Sequence, residues 1–559
     1  MAATERGYTM RWPGRREHLA IVAAQRGRNL TSLRRAAVGC AAMNGARALI
    51  QTLVDAGVTV CFANPGTSEM HFVAALDDAP EMRGVLALFE GVATGAADGY
   101  ARMAGRPAAV LLHLGPGLGN GLANLHNARR ARVPVVVIVG DHATYHKRFD
   151  APLESDIESI ARGVSGWFRA SRRSRDIASD AAAAVAAAIG PPAQVATLVL
   201  PADVSWSDGA ELAAVRPPAA PLAVPDAVLE AAAAALRSGE PTVLFLGGRA
   251  LREPGLVAAA RIAAATGAAL IAETFPARLE RGAGLPAIDR LPYFAEQAAG
   301  KLAAYRHAIL VDAPEPVSFF AYPGKPGELL PAGCTVQRLA AGADDVTGAL
   351  VALADRLDAP HSPPLAAARR PALPTGALTV EAAAHAIGAL LPDHAIVVDE
   401  AHTSALFLPA ATAGTPRHDW LTLTGGAIGD GMPLAIGAAI ACPSRKVVCL
   451  EADGSAMYTP QALWTIAREQ LDITTVIFHN AAYAILRLEL QRTGAGSGGP
   501  KAREMFSLSR PSLDFVALAR SMGMSGGRAT TAEELVAELR RAFAEPGPHL
   551  IEAVVPPLA

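Results

Sequence analysis

The stretch 447–486 constrains this chain most: two short apolar runs, each ending in a polar loop, flank a helical segment. The first run ends in Asp453-Gly454-Ser455 and the second in His479-Asn480-Ala481-Ala482. Strand, helix and strand in that order make a βαβ unit. Its crossover sets the two strands parallel in one sheet, so both loops open at the same edge. Asp453 and Asn480 therefore converge on a shared crevice. Their side-chain oxygens, with the backbone carbonyl of Ala482, suit Mg2+, a hard ion that keeps part of its shell for water or phosphate. Gly454 lets a phosphate approach the backbone closely, and Ser455 opens a helix whose free N–H groups favour an anion. A plain strand-turn-helix in which Asp453 and Ser455 only cap the helix would use the same residues.

The rest of the chain repeats this alternation. Strands are expected at 58–62, 84–89, 108–114 and 133–139, then at 242–246, 269–271 and 308–311, and again at 395–398 ahead of the opening unit. Pro-rich stretches at 215–221 and 360–374 separate the groups. The expected fold class is α/β, with three doubly wound parallel-sheet domains at 43–215, 225–358 and 376–559. Residues 1–42 carry eight arginines against two glutamates and no clean apolar period, and read as a basic disordered extension or as sequence upstream of the true start.

With 51% hydrophobic and 18% charged residues and a formal net charge of −2, the chain is globular and has no polyanion-binding signature, so nucleic acid is not an expected partner. Cys40, Cys61, Cys334, Cys442 and Cys449 are too scattered for a metal pair or a disulfide framework, which favours the cytoplasm. The longest uncharged stretch, 181–202, is broken by Gly190-Pro191-Pro192 and reads as an alanine-rich helix followed by a buried strand. No membrane span is expected.

Glu90 is the candidate acid. It follows an apolar strand and opens a helix of small residues, where burial would raise its pKa and ready it for proton exchange. A helix-initiating acid that satisfies the dipole is the plainer reading.

Phe89-Glu90-Gly91 followed by Ala97-Asp98-Gly99-Tyr100-Ala101-Arg102, together with the Asp453-Gly454 and Asn480 pair, resembles the decarboxylase and acetolactate synthase family of thiamin-diphosphate (ThDP) enzymes. Ala452 and His479 depart from its Gly-Asp-Gly and Asn-Asn pattern. The resemblance implies Mg2+ ligation by Asp453, Asn480 and the Ala482 carbonyl, with Gly454 and Ser455 at the diphosphate. Gly426-Ala427-Ile428-Gly429 resembles the loop whose bulky apolar residue holds ThDP bent, which makes Ile428 the wedge. Glu400-Ala401-His402-Thr403 occupies the place of a diphosphate-contacting turn, giving His402 and Thr403. Glu90 is implied to hydrogen-bond the aminopyrimidine and promote its proton exchange. Because the family splits this acid and the clamp between subunits, a homodimer or homotetramer is implied, with the site at the interface. Asn64-Pro65-Gly66-Thr67 and Leu112-His113-Leu114 resemble benzoylformate decarboxylase segments that present a hydroxyl and a histidine, which adds Thr67 and His113. A histidine ending a strand is as often structural.

The resemblance covers nearly all of 43–559 and is greatest to acetolactate synthase large-subunit-like proteins. It implies decarboxylation of a 2-oxo acid and transfer of the acyl-anion equivalent. Gly91, where synthases usually carry glutamine, and His113, where they carry a small residue, point instead to a non-oxidative 2-oxo acid decarboxylase. Glu489, nine positions beyond Asn480, replaces an aromatic of benzoylformate decarboxylase; a buried carboxylate facing an aryl group is costly, so a small or polar substrate is expected. The central region offers no FAD signature, which leaves FAD open but unsupported. A non-catalytic ThDP-binding relative is the third reading. A dinucleotide-binding protein is disfavoured because Gly115-Pro116-Gly117-Leu118-Gly119 lacks the third glycine of the fingerprint.

Overall fold

Strands buried on both faces read as unbroken apolar runs, and such runs pair in parallel under covering helices. A computed structural model describes residues 43–215 and 217–556. The basic stretch 1–42 lies outside the described residues. In the first region, β1 (Val60–Ala63), β2 (Arg83–Leu86), β3 (Ala108–His113), β4 (Val135–Asp141), β5 (Trp167–Ala170) and β6 (Val195–Pro201) form an all-parallel sheet in the order β2-β1-β3-β4-β6-β5. The central sheet takes β7 (Thr242–Leu246) and β8 (Ala269–Ala272). After β9 (Leu279–Arg281) it takes β10 (Asp289–Arg290), β11 (His307–Val311) and β12 (Thr335–Ala340), in the order β10-β8-β7-β11-β12.

The third sheet contains β13 (Ile396–Glu400), β14 (His418–Thr422), β15 (Val447–Ala452), β16 (Ile473–His479), β17 (Ser525–Ala529) and β18 (His549–Val554). Its order is β17-β18-β16-β15-β13-β14-β9. The α/β fold class and its three parallel sheets are as expected. One strand is not: β9, from the central region, closes the edge of the third sheet antiparallel to β14, pairing Leu279–Arg281 with His418–Trp420. Arg278 fixes this edge by donating to Asp419 at 2.5 Å. Three residues are too few to show a sequence period.

Two strand ends also differ from expectation. Val58 belongs to the turn that ends the Gly45–Asp55 helix, where Gly57 takes φ +83° and the Val58 N–H bonds the Leu53 carbonyl. β2 stops at Leu86 because its partner β1 ends at Ala63. Asn64-Pro65 follows, and proline has no N–H with which to extend a ladder. The Ala181–Ala202 stretch resolves into the Ile177–Ile189 helix and β6, as read. Among the described residues no helix is long and apolar enough to cross a membrane.

What positions the site is the reversal of strand order in each sheet, between β1 and β3, β7 and β11, and β13 and β15. At these points the loops leaving the strand ends diverge and open a crevice.

Candidate active site

The crevice of the third sheet is built around Asp453. β15 ends at Ala452, and Asp453 is 1% exposed at the start of the Asp453–Ala456 helix. Its Oδ1 accepts the Gly454 N–H at 2.8 Å. Its Oδ2 accepts the N–H groups of Asn480 at 3.1 Å and Ala481 at 2.7 Å. Ala481 sits at φ +54°, a left-handed turn that brings these two donors onto the carboxylate. Asn480 folds back, its Oδ1 accepting the Ala482 N–H at 2.9 Å. The two loops of the βαβ unit thus meet as expected.

Burial pushes the Asp453 carboxyl above the usual carboxylate range, against the pull of the three N–H groups and of His479. A buried carboxylate in this state gains from a cation. Among the described residues no three His, Cys, Asp or Glu side chains cluster to hold a metal. A cation here would have Asp453 as its acidic ligand and neutral oxygens beside it, which fits Mg2+ completed by phosphate.

The two departures from the motif leave this geometry intact. Ala452 has φ −84° and ψ 147°, backbone open to any residue, so glycine is not required there. His479 turns away into the core: Nδ1 lies 2.7 Å from Glu552, whose carboxylate also meets Arg528 at 3.0 Å, and the ring packs edge-on against Phe515. Glu552 holds His479 above the usual imidazole range. Gly454 leaves room for Tyr483, since a Cβ at that position would lie 2.4 Å from the Tyr483 ring and displace it.

The neighbouring strand β13 adds His402, at φ +50°, whose Nε2 lies 3.0 Å from the Ser455 hydroxyl. Thr403 follows in the His402–Ala405 turn. Glu400, the last residue of β13, is buried and accepts the N–H groups of Gly429 at 2.6 Å, Asp430 at 2.8 Å and Gly431. It fixes the loop that carries Gly426, at φ +76°, and half-buried Ile428. Asn124 and Asn127 of the Leu114–Ala131 helix clamp the same loop through the carbonyls of Gly429 at 3.3 Å and Ala427 at 2.8 Å.

The first sheet contributes a second group. Glu90 opens the Glu90–Ala104 helix, half-buried, with Oε2 accepting from Asn120 Nδ2 at 3.0 Å. The helix is anchored by buried Arg102, which pairs with Asp98 at 2.6 Å and donates to the Thr422 carbonyl of β14 at 2.6 Å. His113 ends β3, and its Nδ1 lies 2.8 Å from Glu69 Oε2. Glu69 is fully buried, also accepts the Gly66 N–H at 2.7 Å, and leaves Oε1 without a partner among the described residues. Burial pushes the Glu69 carboxyl up, against the pull of the Gly66 N–H and His113; in its ionised form it accepts from Nδ1–H and leaves the lone pair on Nε2. Exposed Thr67 follows Gly66 in the same turn. A Cβ at Gly117 would lie 3.3 Å from Glu90 Oε1 and 3.5 Å from His113 Cβ, so the acid and the root of the His113 side chain flank one glycine.

Among the described residues no hydrogen bond or ion pair joins Glu90 or His113 to Asp453 or Asn480. The candidates therefore form two groups: Glu90, His113 and Thr67 on the first sheet, and Asp453, Gly454, Ser455, Asn480, Ala482, His402, Thr403, Gly426 and Ile428 on the third. Sequence reasoning missed Glu69, Asn120 and Tyr483, and it named Glu400 only as part of the turn with His402 and Thr403, without its hold on the Gly429–Gly431 loop. Only Glu69 had a local signal, an acid three positions past Gly66, whose N–H its carboxylate accepts.

Glu489, expected as a costly buried acid facing the substrate, is tied in part to the chain's own side chains. Glu489 is buried in the Ala484–Arg492 helix, but its Oε2 accepts from the Tyr322 hydroxyl at 2.9 Å and Oε1 lies 3.5 Å from Arg492 Nε. Tyr322 thus satisfies one oxygen, while Oε1 and Arg492 Nε face each other without a hydrogen bond among the described residues.

Residues 43–160 match the family described as thiamine pyrophosphate enzyme, N-terminal TPP binding domain. Residues 406–553 match thiamine pyrophosphate enzyme, C-terminal TPP binding domain. The chain is 64% identical over 519 residues to "Putative acetolactate synthase large subunit IlvX" of Mycobacterium tuberculosis, covering 92% of this chain and 100% of that protein. It is 31% identical over 537 residues to benzoylformate decarboxylase of Pseudomonas aeruginosa, covering 89% and 96% respectively. Among solved structures, the thiamine diphosphate-dependent 4-hydroxybenzoylformate decarboxylase of Rhodococcus jostii RHA1 superposes with a TM-score of 0.81 at 25% identity, covering 92% of this chain and 99% of that one.

Proposed function

The chain belongs to the thiamine pyrophosphate enzymes, and from that premise we propose that it decarboxylates a 2-oxo acid and transfers the acyl-anion equivalent to an acceptor, in an acetolactate synthase-like carboligation. Its cofactor is thiamin diphosphate, which in this family is typically accompanied by Mg2+. When bound, ThDP supplies the nucleophilic carbon and the electron sink that let CO2 leave a 2-oxo acid.

The observation that carries this reading is the closure of the Asn480-Ala481 loop on buried Asp453. Asp453, Asn480 and the Ala482 carbonyl would hold the metal. The backbone at Gly454 and Ser455, with His402 and Thr403, would receive the diphosphate. Ile428, on the loop fixed by Glu400, would support the cofactor, with Gly426 giving that loop its turn. Glu90 would be the group that holds or gives a proton at the aminopyrimidine. Release of CO2 and an acyloin from pyruvate or another 2-oxo acid tests the proposal.

Two subunits complete the site, as a homodimer or homotetramer. Glu90 is half-open in the single chain, and the large apolar side chains Leu88, Leu406, Tyr458 and Leu486, close in sequence to the site residues, are each more than 40% exposed. A second copy covering these surfaces would desolvate the acid. The four described cysteines are free, which supports a reducing, cytoplasmic location.

The Glu69–His113 pair favours a second reading, a non-oxidative decarboxylase. Aldehyde release needs a proton delivered to the acyl carbon, and His113, held through Nδ1 by Glu69, is the group that would take one up on its Nε2 lone pair, as imidazolium beside the carboxylate, and give it back there. On this reading His113→Ala lowers kcat for decarboxylation by about 10²-fold or more and leaves ThDP affinity unchanged. Glu69→Gln produces a smaller loss, also in kcat rather than KM. Steady-state kinetics and a ThDP titration check both variants; unchanged kcat in His113→Ala returns the pair to a purely structural role.

A further inference from the structure

The central sheet has its own switch point, between β7 and β11, and there the chain supplies the anions itself. β7 is followed by Gly247-Gly248, a strand and a tight glycine turn of the kind that offers backbone N–H groups to a dinucleotide phosphate. Gly248 takes φ +45°. Its N–H donates to Glu273 Oε1 at 3.2 Å, and the next N–H, of Arg249, donates to Asp312 Oδ2 at 2.9 Å. Asp312 follows β11 at φ +51° and is buried; its Oδ1 also accepts the Gly342 N–H at 3.3 Å.

The space is filled as well as the donors. A Cβ at Gly247 would lie 2.7 Å from Glu273 Oε1 and 2.8 Å from the Asp312 carbonyl oxygen, and one at Gly248 would lie 2.4 Å from Asp312 Oδ2. The nearby guanidinium groups are already engaged. Arg132 lies 3.5 Å and Arg249 Nε 3.6 Å from Asp312, and Arg249 Nη2 donates to the carbonyls of Gly342 at 2.7 Å and Asp344 at 2.9 Å.

A pyrophosphate entering this crevice would have to displace both carboxyl groups from the N–H groups it needs and from the space it would fill. Burial pushes Glu273 up to about 7, so what bars the ligand is occupation of the donors more than charge. The residues present therefore do not fit an FAD or an adenine nucleotide.

We infer that the central domain is a nucleotide-free spacer whose phosphate cradle is sealed by Glu273 and Asp312, and that this enzyme works without flavin. The contacts also give the two carboxyl groups a function: they satisfy the Gly248 and Arg249 N–H groups, which would otherwise lack a partner within the chain.

The test uses the full-length protein saturated with Mg2+ and ThDP, so that the diphosphate clamp cannot bind the probes. Its absorbance spectrum and that of the acid-released supernatant are recorded, and FAD and ADP are then titrated separately by flavin fluorescence and calorimetry. The expected result is no flavin band, no saturable binding of either probe, and turnover unchanged by added FAD. One flavin per chain, saturable binding of FAD or ADP, or turnover that depends on FAD overturns the inference. Calorimetry of ThDP on the same preparation separates this outcome from failure of the thiamin reading: ThDP that binds while FAD does not supports both, and flavin binding overturns only this one.

Discussion

Glu90→Gln is expected to bind Mg2+ and ThDP as the wild type does and to lose about 10²-fold to 10⁴-fold in kcat, the range that a positioned general acid-base supplies. Glutamine keeps the length of the side chain and an oxygen for the Asn120 Nδ2 donor, so the helix start is retained. What it loses is the exchangeable proton. Anchoring of the helix through Arg102 to Asp98 and the Thr422 carbonyl does not involve the Glu90 side chain, so the variant should fold normally. Calorimetric ThDP affinity beside kcat on a 2-oxo acid checks the result. Equal turnover in variant and wild type removes Glu90 from the proton path.

Asp453→Ala strikes binding instead. It deletes the sole acidic ligand of the proposed metal site and leaves the N–H groups of Gly454, Asn480 and Ala481 without their acceptor. Outer partners of a metal site are worth about 10-fold to 100-fold in affinity, and the ligand itself should exceed that. ThDP affinity in the presence of Mg2+ is therefore expected to fall by more than about 100-fold. The pH dependence has a definite sign. Burial raises the Asp453 carboxyl, so in the cofactor-free protein it keeps its proton to higher pH than an exposed aspartate. Protons compete with the metal, and wild-type Mg2+-ThDP affinity rises with pH through that titration; Asp453→Ala removes the dependence. Titration calorimetry at several pH values reads both effects.

The clamp was legible because it is local. Asp453 and Asn480 sit at the two ends of one βαβ unit, whose handedness and parallel pairing are set by chain geometry, so convergence followed from the order of elements. Glu90 was legible for the same reason, as a polar residue where an apolar strand gives way to a helix of small residues. Its expected burial was not seen in the single chain, since the groups proposed to cover it belong to a second copy.

What escaped depends on distant pairings. Glu69 reaches His113 across 44 positions and Glu400 holds Gly429 across 29, and neither contact leaves a period or spacing in the sequence. Glu489 shows the same limit acting on a substrate argument. As a lone acid in a presumed pocket it spoke against an aryl group, and Tyr322, 167 positions away, satisfies one of its oxygens. β9 was invisible because three residues carry no pattern, and it matters because it binds the central region to the sheet that holds the clamp.

The central claim is that this chain is a ThDP enzyme that turns over 2-oxo acids. Its most direct test is CO2 release by purified protein offered pyruvate and a panel of larger 2-oxo acids, with and without Mg2+ and ThDP, and with the organic product identified. The account predicts release from at least one of them that requires both cofactors and is accompanied by an acyloin, or by an aldehyde if the Glu69–His113 reading holds. Protein that binds ThDP and releases no CO2 from any member of the panel would contradict it.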